Sequence, residues 1–172
     1  EMVAFGYGQS DNLPVTCVRL ATLYGPFGRA TLPVALFMGK VLRGESIQLT
    51  WDGSQTRDQN WVGNACDGII AALTAEGVEG EAINLGSGRE VSVGALVGLC
   101  SQLAAQAYES AVGHPLAGIS KVVNLPPRFG EEGRLFLDNG KAARLLGYAP
   151  AMDLAEGLRR TAAWMVQRHL QG

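Results

Sequence analysis

Residues Val15–Arg29, VTCVRLATLYGPFGR, set the strongest limit on what this chain can become. The stretch opens as a nearly continuous apolar run rich in β-branched residues, breaks at Gly25-Pro26 and continues into Gly28-Arg29. A short apolar run closed by Gly and Pro reads as a strand covered on both faces, the usual state inside a parallel sheet. Open α/β sheets bind ligands just beyond the carboxyl ends of such strands. Thr22, Tyr24 and Arg29 would lie there. A central strand needs neighbours, and the rest of the chain promises few of them.

Single strands and helices alternate along the remainder, which argues for an α/β or α+β domain. Thr31 is placed to cap a helix to about Arg43, with Pro33 in its first turn and Gly44 as the stop. Ile47–Trp51 reads as a short strand and Asp52-Gly53-Ser54 as a turn. A helix from about Ala65 to Ala75 follows, capped by Asn64 and ended by Gly77, then a strand over Ala82–Leu85. Ser92 caps a long helix to about Tyr108, Ser110–Ser120 is a loop, and Lys121–Leu125 is a candidate strand. Asp138 caps a helix to Leu146, and Asp153-Leu154-Ala155-Glu156 is a capping box for the last one, to about Leu170. Glu1–Phe5 has the look of a helix tail without a cap, so the beginning is expected to be a cut.

A chain of 172 residues suffices for one domain burying roughly 70% of its unfolded surface. The net charge of −2 gives no electrostatic footprint for nucleic acid or an anionic membrane. An apolar run such as Leu32–Met38 is far too short to cross a bilayer. Cys17, Cys66 and Cys100 are odd in number and embedded in apolar runs, which predicts buried free thiols and a cytoplasmic setting.

Few residues promise chemistry. His114 and His169 are distant from one another, too few for a metal site and best read as surface residues. Gly86-x-Gly88 after a strand resembles a dinucleotide loop only superficially, because the third glycine would fall at Val91. A tight strand-to-helix turn fits it better. The arginines say more. Arg29, Arg57 and Arg128 each follow a Gly- or Pro-containing turn outside the predicted helices, with Arg134 on a more polar run. Guanidinium groups on loops at a sheet end suit bidentate binding of phosphate or carboxylate. Separate surface salt bridges are an equally open reading of that spacing.

Several motifs carry a resemblance. Arg19-x-x-Thr22-Leu23-Tyr24-Gly25-Pro26 resembles the R-x-x-[NT]-x-Y-G-P motif of extended short-chain dehydrogenase/reductases, the NAD-dependent sugar-nucleotide epimerases and dehydratases. Asp52-Gly53-Ser54-Gln55-Thr56-Arg57-Asp58 is similar to their D-G-x-Q-x-R-D turn, and Asn84–Val93 to their N-x-G-S-G-x-x-x-S-V segment. Asp138-x-x-Lys141-Ala142, Leu146-Gly147-Tyr148-x-Pro150 and Glu156-Gly157-Leu158 follow the closing pattern. One departure is Gln59, where the family has an aromatic after Arg-Asp.

The resemblance implies an α/β fold: the C-terminal part of a Rossmann-like parallel sheet plus a small α/β substrate-binding domain. Residues 1–30 would be a remnant of the Rossmann-like domain and residues 31–172 the substrate-binding domain, with interleaved sheet segments. It implies a nucleotide-sugar ligand, with Thr22 facing the sugar or diphosphate and Arg29 helping to hold a uronate carboxylate. Arg57 and Arg128 would grip the diphosphate, Glu131 would meet the ribose, and Leu20 and Leu23 would line the nicotinamide end. The family's glycine-rich NAD loop and Tyr-x-x-x-Lys do not occur in these 172 residues. Hydride transfer from a sugar carbon to NAD or NADP, with that tyrosine as base, is therefore expected only of a complete enzyme. This chain is expected to bind substrate, to bind no cofactor alone, to need an N-terminal Rossmann half in cis or in trans, and to form homo-oligomers. A stand-alone sugar-nucleotide-binding or self-associating module is the alternative.

Overall fold

The structure, a computed structural model, describes residues 1–118, 121–127 and 129–171. Arg128 and the end of the expected Ser110–Ser120 loop lie outside them. The elements in order are α1 (Met2–Ser10), β1 (Cys17–Leu20), β2 (Thr22–Tyr24), α2 (Pro33–Leu42), β3 (Ile47–Thr50), β4 (Thr56–Arg57), β5 (Gln59–Trp61) and α3 (Val62–Thr74). Then come β6 (Ala82–Leu85), β7 (Val91–Ser92), α4 (Val93–Val112), β8 (Val122–Leu125), β9 (Arg134–Leu135), α5 (Gly140–Leu146) and α6 (Leu154–Leu170). The architecture is mixed α/β with mostly parallel pairing: β1 with β6, β2 with β5, β3 with β8, and β4 between antiparallel β7 and parallel β9.

The apolar run around Val15–Leu20 forms a strand, but not one covered on both faces. Only Cys17–Leu20 pairs, its sole described partner is β6, and Leu20 is 41% exposed. Val18 packs with Ile83, Leu85 and Tyr148 in a small core under α3 and α5. On the opposite face of β1, Cys17 is half-buried and the exposed Arg19 pairs with Glu1. At Ala21 the chain changes partner: the Ala21 amide still bonds Leu85 O at 3.2 Å, and Thr22 then pairs with Gln59. Gly25 ends the run at φ +147°, where a Cβ would stand 2.6 Å from Val62 Cγ1. Only glycine fits both the backbone and the space.

The larger core lies where α2, α4 and α6 pack together against β3. Met38, Ile47, Leu96, Cys100 and Leu158 are almost wholly enclosed there. Each large apolar side chain so buried contributes roughly 1.5–3 kcal/mol relative to exposure.

Local signals account for most helix ends. Ser92 Oγ accepts the Ala95 amide and Asp153 Oδ1 the Glu156 amide, so these two of the expected caps form. Gly44, Gly77, Gly113 and Gly147 take positive φ after helices. Other expectations are not met. Asp138 is not the N-cap of α5, which starts from Asn139; its Oδ1 instead accepts the Gly140 amide at 2.7 Å. Thr31 caps nothing, since α2 starts from an extended Leu32 and Pro33 brings no N–H to satisfy. Asn64 lies inside α3, because β5 runs straight into that helix and the buried Asn64 amide is used to tie down Met152. α4 runs on to Val112, one turn beyond the expected end. Cys66 is exposed rather than buried, since it lies on the outer face of α3.

Candidate ligand-binding site

The segment Gln55–Gln59 organises the candidate site, because alternate side chains of an extended run point to opposite sides. Gln55, Arg57 and Gln59 line a cleft of about 350 Å³, together with Phe37 from α2, Leu49 from β3 and Glu131. Asp58 instead lines a second depression, of about 470 Å³, with Leu20, Thr22, Leu23, Arg29 and Leu137. The turn before α2 lies between the two: Leu32 lines the depression, Thr31 and Pro33 the cleft. Four residues expected at a ligand, Leu20, Thr22, Leu23 and Arg29, are thus brought together. Arg57 and Glu131 are brought together in the adjoining cleft. Arg29 and Arg57 do not share one pocket.

Arg57 is half-buried, and its Nη1 donates to Thr56 O at 2.8 Å, which fixes the guanidinium without consuming its charge. Among the described residues it pairs with no carboxylate, and neither does the exposed Arg29. Arg134, by contrast, is spent. It forms a bidentate pair with Glu90 at 2.8 and 2.8 Å, and that pairing holds the Glu90 carboxyl below its ordinary range. Thr50 Oγ1 donates to Glu131 Oε1 at 2.6 Å across the cleft wall. The structure therefore separates arginines that the sequence could not: Arg134 closes a surface pair, and Arg57 faces an open cleft.

Tyr24, expected near a ligand, is instead part of the core. Its hydroxyl donates to Leu154 O at 3.3 Å, its ring meets Trp61 edge-on, and burial pushes its pKa above the ordinary phenol value. Gly86 opens the turn from β6 to the two-residue β7, which precedes α4, and that turn is backed by a side chain. Asp58 Oδ1 accepts the Ser87 amide at 2.8 Å, and a Cβ on Gly86 would collide with Asp58 Oδ2. The Asp58 carboxylate thus occupies the space against the Gly86 backbone. His114 and His169 are exposed and both approach Tyr108. Among the described residues no group of three His, Cys, Asp or Glu is placed to hold a metal ion.

Sequence reasoning missed Gln55, Asp58 and Gln59 as site residues. All three are buried, and each keeps at least one polar side-chain atom without a protein partner among the described residues. The alternation around Arg57 was the available signal.

The sequence model of the NAD dependent epimerase/dehydratase family matches residues 1–86. The chain belongs to this family. It is 31% identical over 164 residues to a dTDP-glucose 4,6-dehydratase of Actinoplanes sp., covering 95% of this chain and 48% of that one. It is 30% identical over 163 residues to a putative UDP-glucose 4-epimerase of Methanocaldococcus jannaschii, covering 92% and 48%. A dTDP-glucose 4,6-dehydratase of Streptomyces venezuelae solved with NAD bound superposes with a TM-score of 0.81 at 29% identity, covering 99% of this chain and 49% of that one. The chain spans about half the length of the relatives it matches. No described helix is long and apolar enough to cross a membrane.

Proposed function

We propose that this chain is the substrate-holding part of a sugar-nucleotide epimerase or dehydratase, with the diphosphate at Arg57. The carrying observation is that half-buried guanidinium, positioned by the Thr56 carbonyl and facing a cleft of about 350 Å³ without a carboxylate partner among the described residues. A fixed cation next to apolar walls suits an anion attached to a flat, partly apolar body. Phe37 and Leu49 offer such walls, and Glu131, in the same cleft, would meet the ribose. Arg128 is assigned as the second diphosphate arginine. The sugar would extend toward Thr22, with Arg29 available to a carboxylate on it, and Leu20 and Leu23 would offer an apolar surface to a nicotinamide ring.

The described residues fit the rest of a dinucleotide poorly. The one strand–glycine turn that could cradle its pyrophosphate is filled by Asp58. No catalytic step is therefore assigned to this chain. The 172 residues are expected to bind nucleotide sugar without reducing NAD. The edge of β1 without a described partner is read as the docking surface for a nucleotide-binding half, in cis or in trans.

A thermal-shift titration with UDP-, dTDP-, GDP- and CDP-sugars tests this reading, since a ligand of the folded state raises stability with the logarithm of its concentration. At least one should raise the midpoint of the wild-type chain, and Arg57→Ala should abolish the rise. An equal response from both proteins would overturn the assignment of Arg57.

A further inference from the structure

We propose that the carboxamide of Gln59 is a recognition group for the hydroxyl-bearing sugar ring of the ligand whose diphosphate Arg57 holds. This rests on the reading of the Arg57 cleft given above. Gln59 is only 4% exposed, and neither its Oε1 nor its Nε2 has a protein partner among the described residues. Burying a carboxamide with both ends unbonded is unfavourable, whereas a leucine or methionine would fill the same space without that loss.

The buried or half-buried asparagines of this region are committed. Asn60 donates to Leu85 O and to the Tyr148 hydroxyl, Asn64 bonds Met152 from both ends, and Asn139 bonds Gly86 from both ends. Those side chains hold the fold together. Gln59 does not. It lies two residues beyond Arg57 and lines the same cleft, and it also lines a separate cavity of about 230 Å³ beside Ser87, Arg89 and Asp153. Gln59 therefore lines both cavities, and its register partner on β2 is Thr22, the residue toward which the sugar is read to extend. On the other side of Arg57, Gln55 donates to Thr50 O at 2.9 Å while its Oε1 has no protein partner among the described residues. A cation flanked by carboxamides of unused capacity matches an anion joined to a neutral group that both donates and accepts. Sugar hydroxyls do both, and so does a carboxamide.

Calorimetry on the 172-residue chain separates the two assignments. UDP-glucose and dTDP-glucose are each titrated against their sugar-free diphosphates, into wild type, Gln59→Leu, Gln59→Met and Arg57→Ala. The proposal expects Gln59→Leu to weaken the better nucleotide sugar about three- to tenfold while leaving its sugar-free diphosphate unchanged. Thermal unfolding of the unliganded variant should be no lower than wild type, and Gln59→Met carries the comparison if the leucine variant does not fold. Equal affinities in wild type and the Gln59 variants, including failure of both to bind, overturn the inference. So does an equal loss for nucleotide sugar and sugar-free diphosphate. The Arg57 reading falls separately, if Arg57→Ala binds as wild type does.

Discussion

Gly86 shows how little freedom single positions around the site have. Its missing side chain leaves room for Asp58, whose Oδ1 holds the Ser87 amide at 2.8 Å. Gly86→Ala forces either the carboxylate or the turn to move and should cost about 1–3 kcal/mol, read from urea denaturation. A wild-type midpoint would show that Asp58 yields freely. The cysteines give a second residue-scale test. Cys66 is exposed and Cys100 is buried, so a thiol reagent should label Cys66 in the native protein and Cys100 only on unfolding. Burial pushes the Cys100 thiol from an ordinary 9.0 up to about 12, so between those values the folded state keeps a proton that the unfolded chain has lost. Stability from this source is full below pH 9 and is lost as pH rises toward 12, and Tyr24 acts with the same sign. Denaturation midpoints at pH 8 and pH 10 should therefore fall less in Cys100→Ala than in wild type.

Among the elements, the helix ends are where sequence and structure agree best, because a cap is a local event within a few residues. Ser92→Ala and Asp153→Ala should each cost roughly 0.5–2 kcal/mol in chemical denaturation, by releasing the amides of Ala95 and Glu156. Loss of neither would mean that tertiary packing alone fixes the starts of α4 and α6. What local rules could not reveal is set by distant partners. The exchange of β1's partner for β2's at Ala21 depends on where β6 and β5 stand, some sixty and forty residues away. Asn64 has the composition of a cap, yet Met152, far along the chain, decides its use. The site was legible to the same degree. Turn chemistry and family resemblance brought out Arg57, Thr22 and Arg29, but the split of these residues between two depressions follows from the alternation of Gln55–Gln59 in three dimensions.

The molecule is unevenly covered. Its larger core is sealed by α2, α4 and α6. By contrast α1 buries no residue, Leu20 on β1 is 41% exposed, and Ile70 and Leu73 on α3 are 59% and 84% exposed. Exposed apolar side chains and a strand edge without a described partner favour association. Light scattering of the 172-residue chain should show mass rising with concentration, and Leu73→Lys should reduce that rise. A monomer at high concentration would contradict this. The proposed function rests on Arg57 holding a diphosphate, and a crystal structure with whichever nucleotide sugar gives the largest thermal shift would show it. Diphosphate oxygens should lie within hydrogen-bonding distance of the Arg57 guanidinium, in the cleft bounded by Phe37 and Leu49. A diphosphate seated elsewhere, with Arg57 untouched, would contradict it.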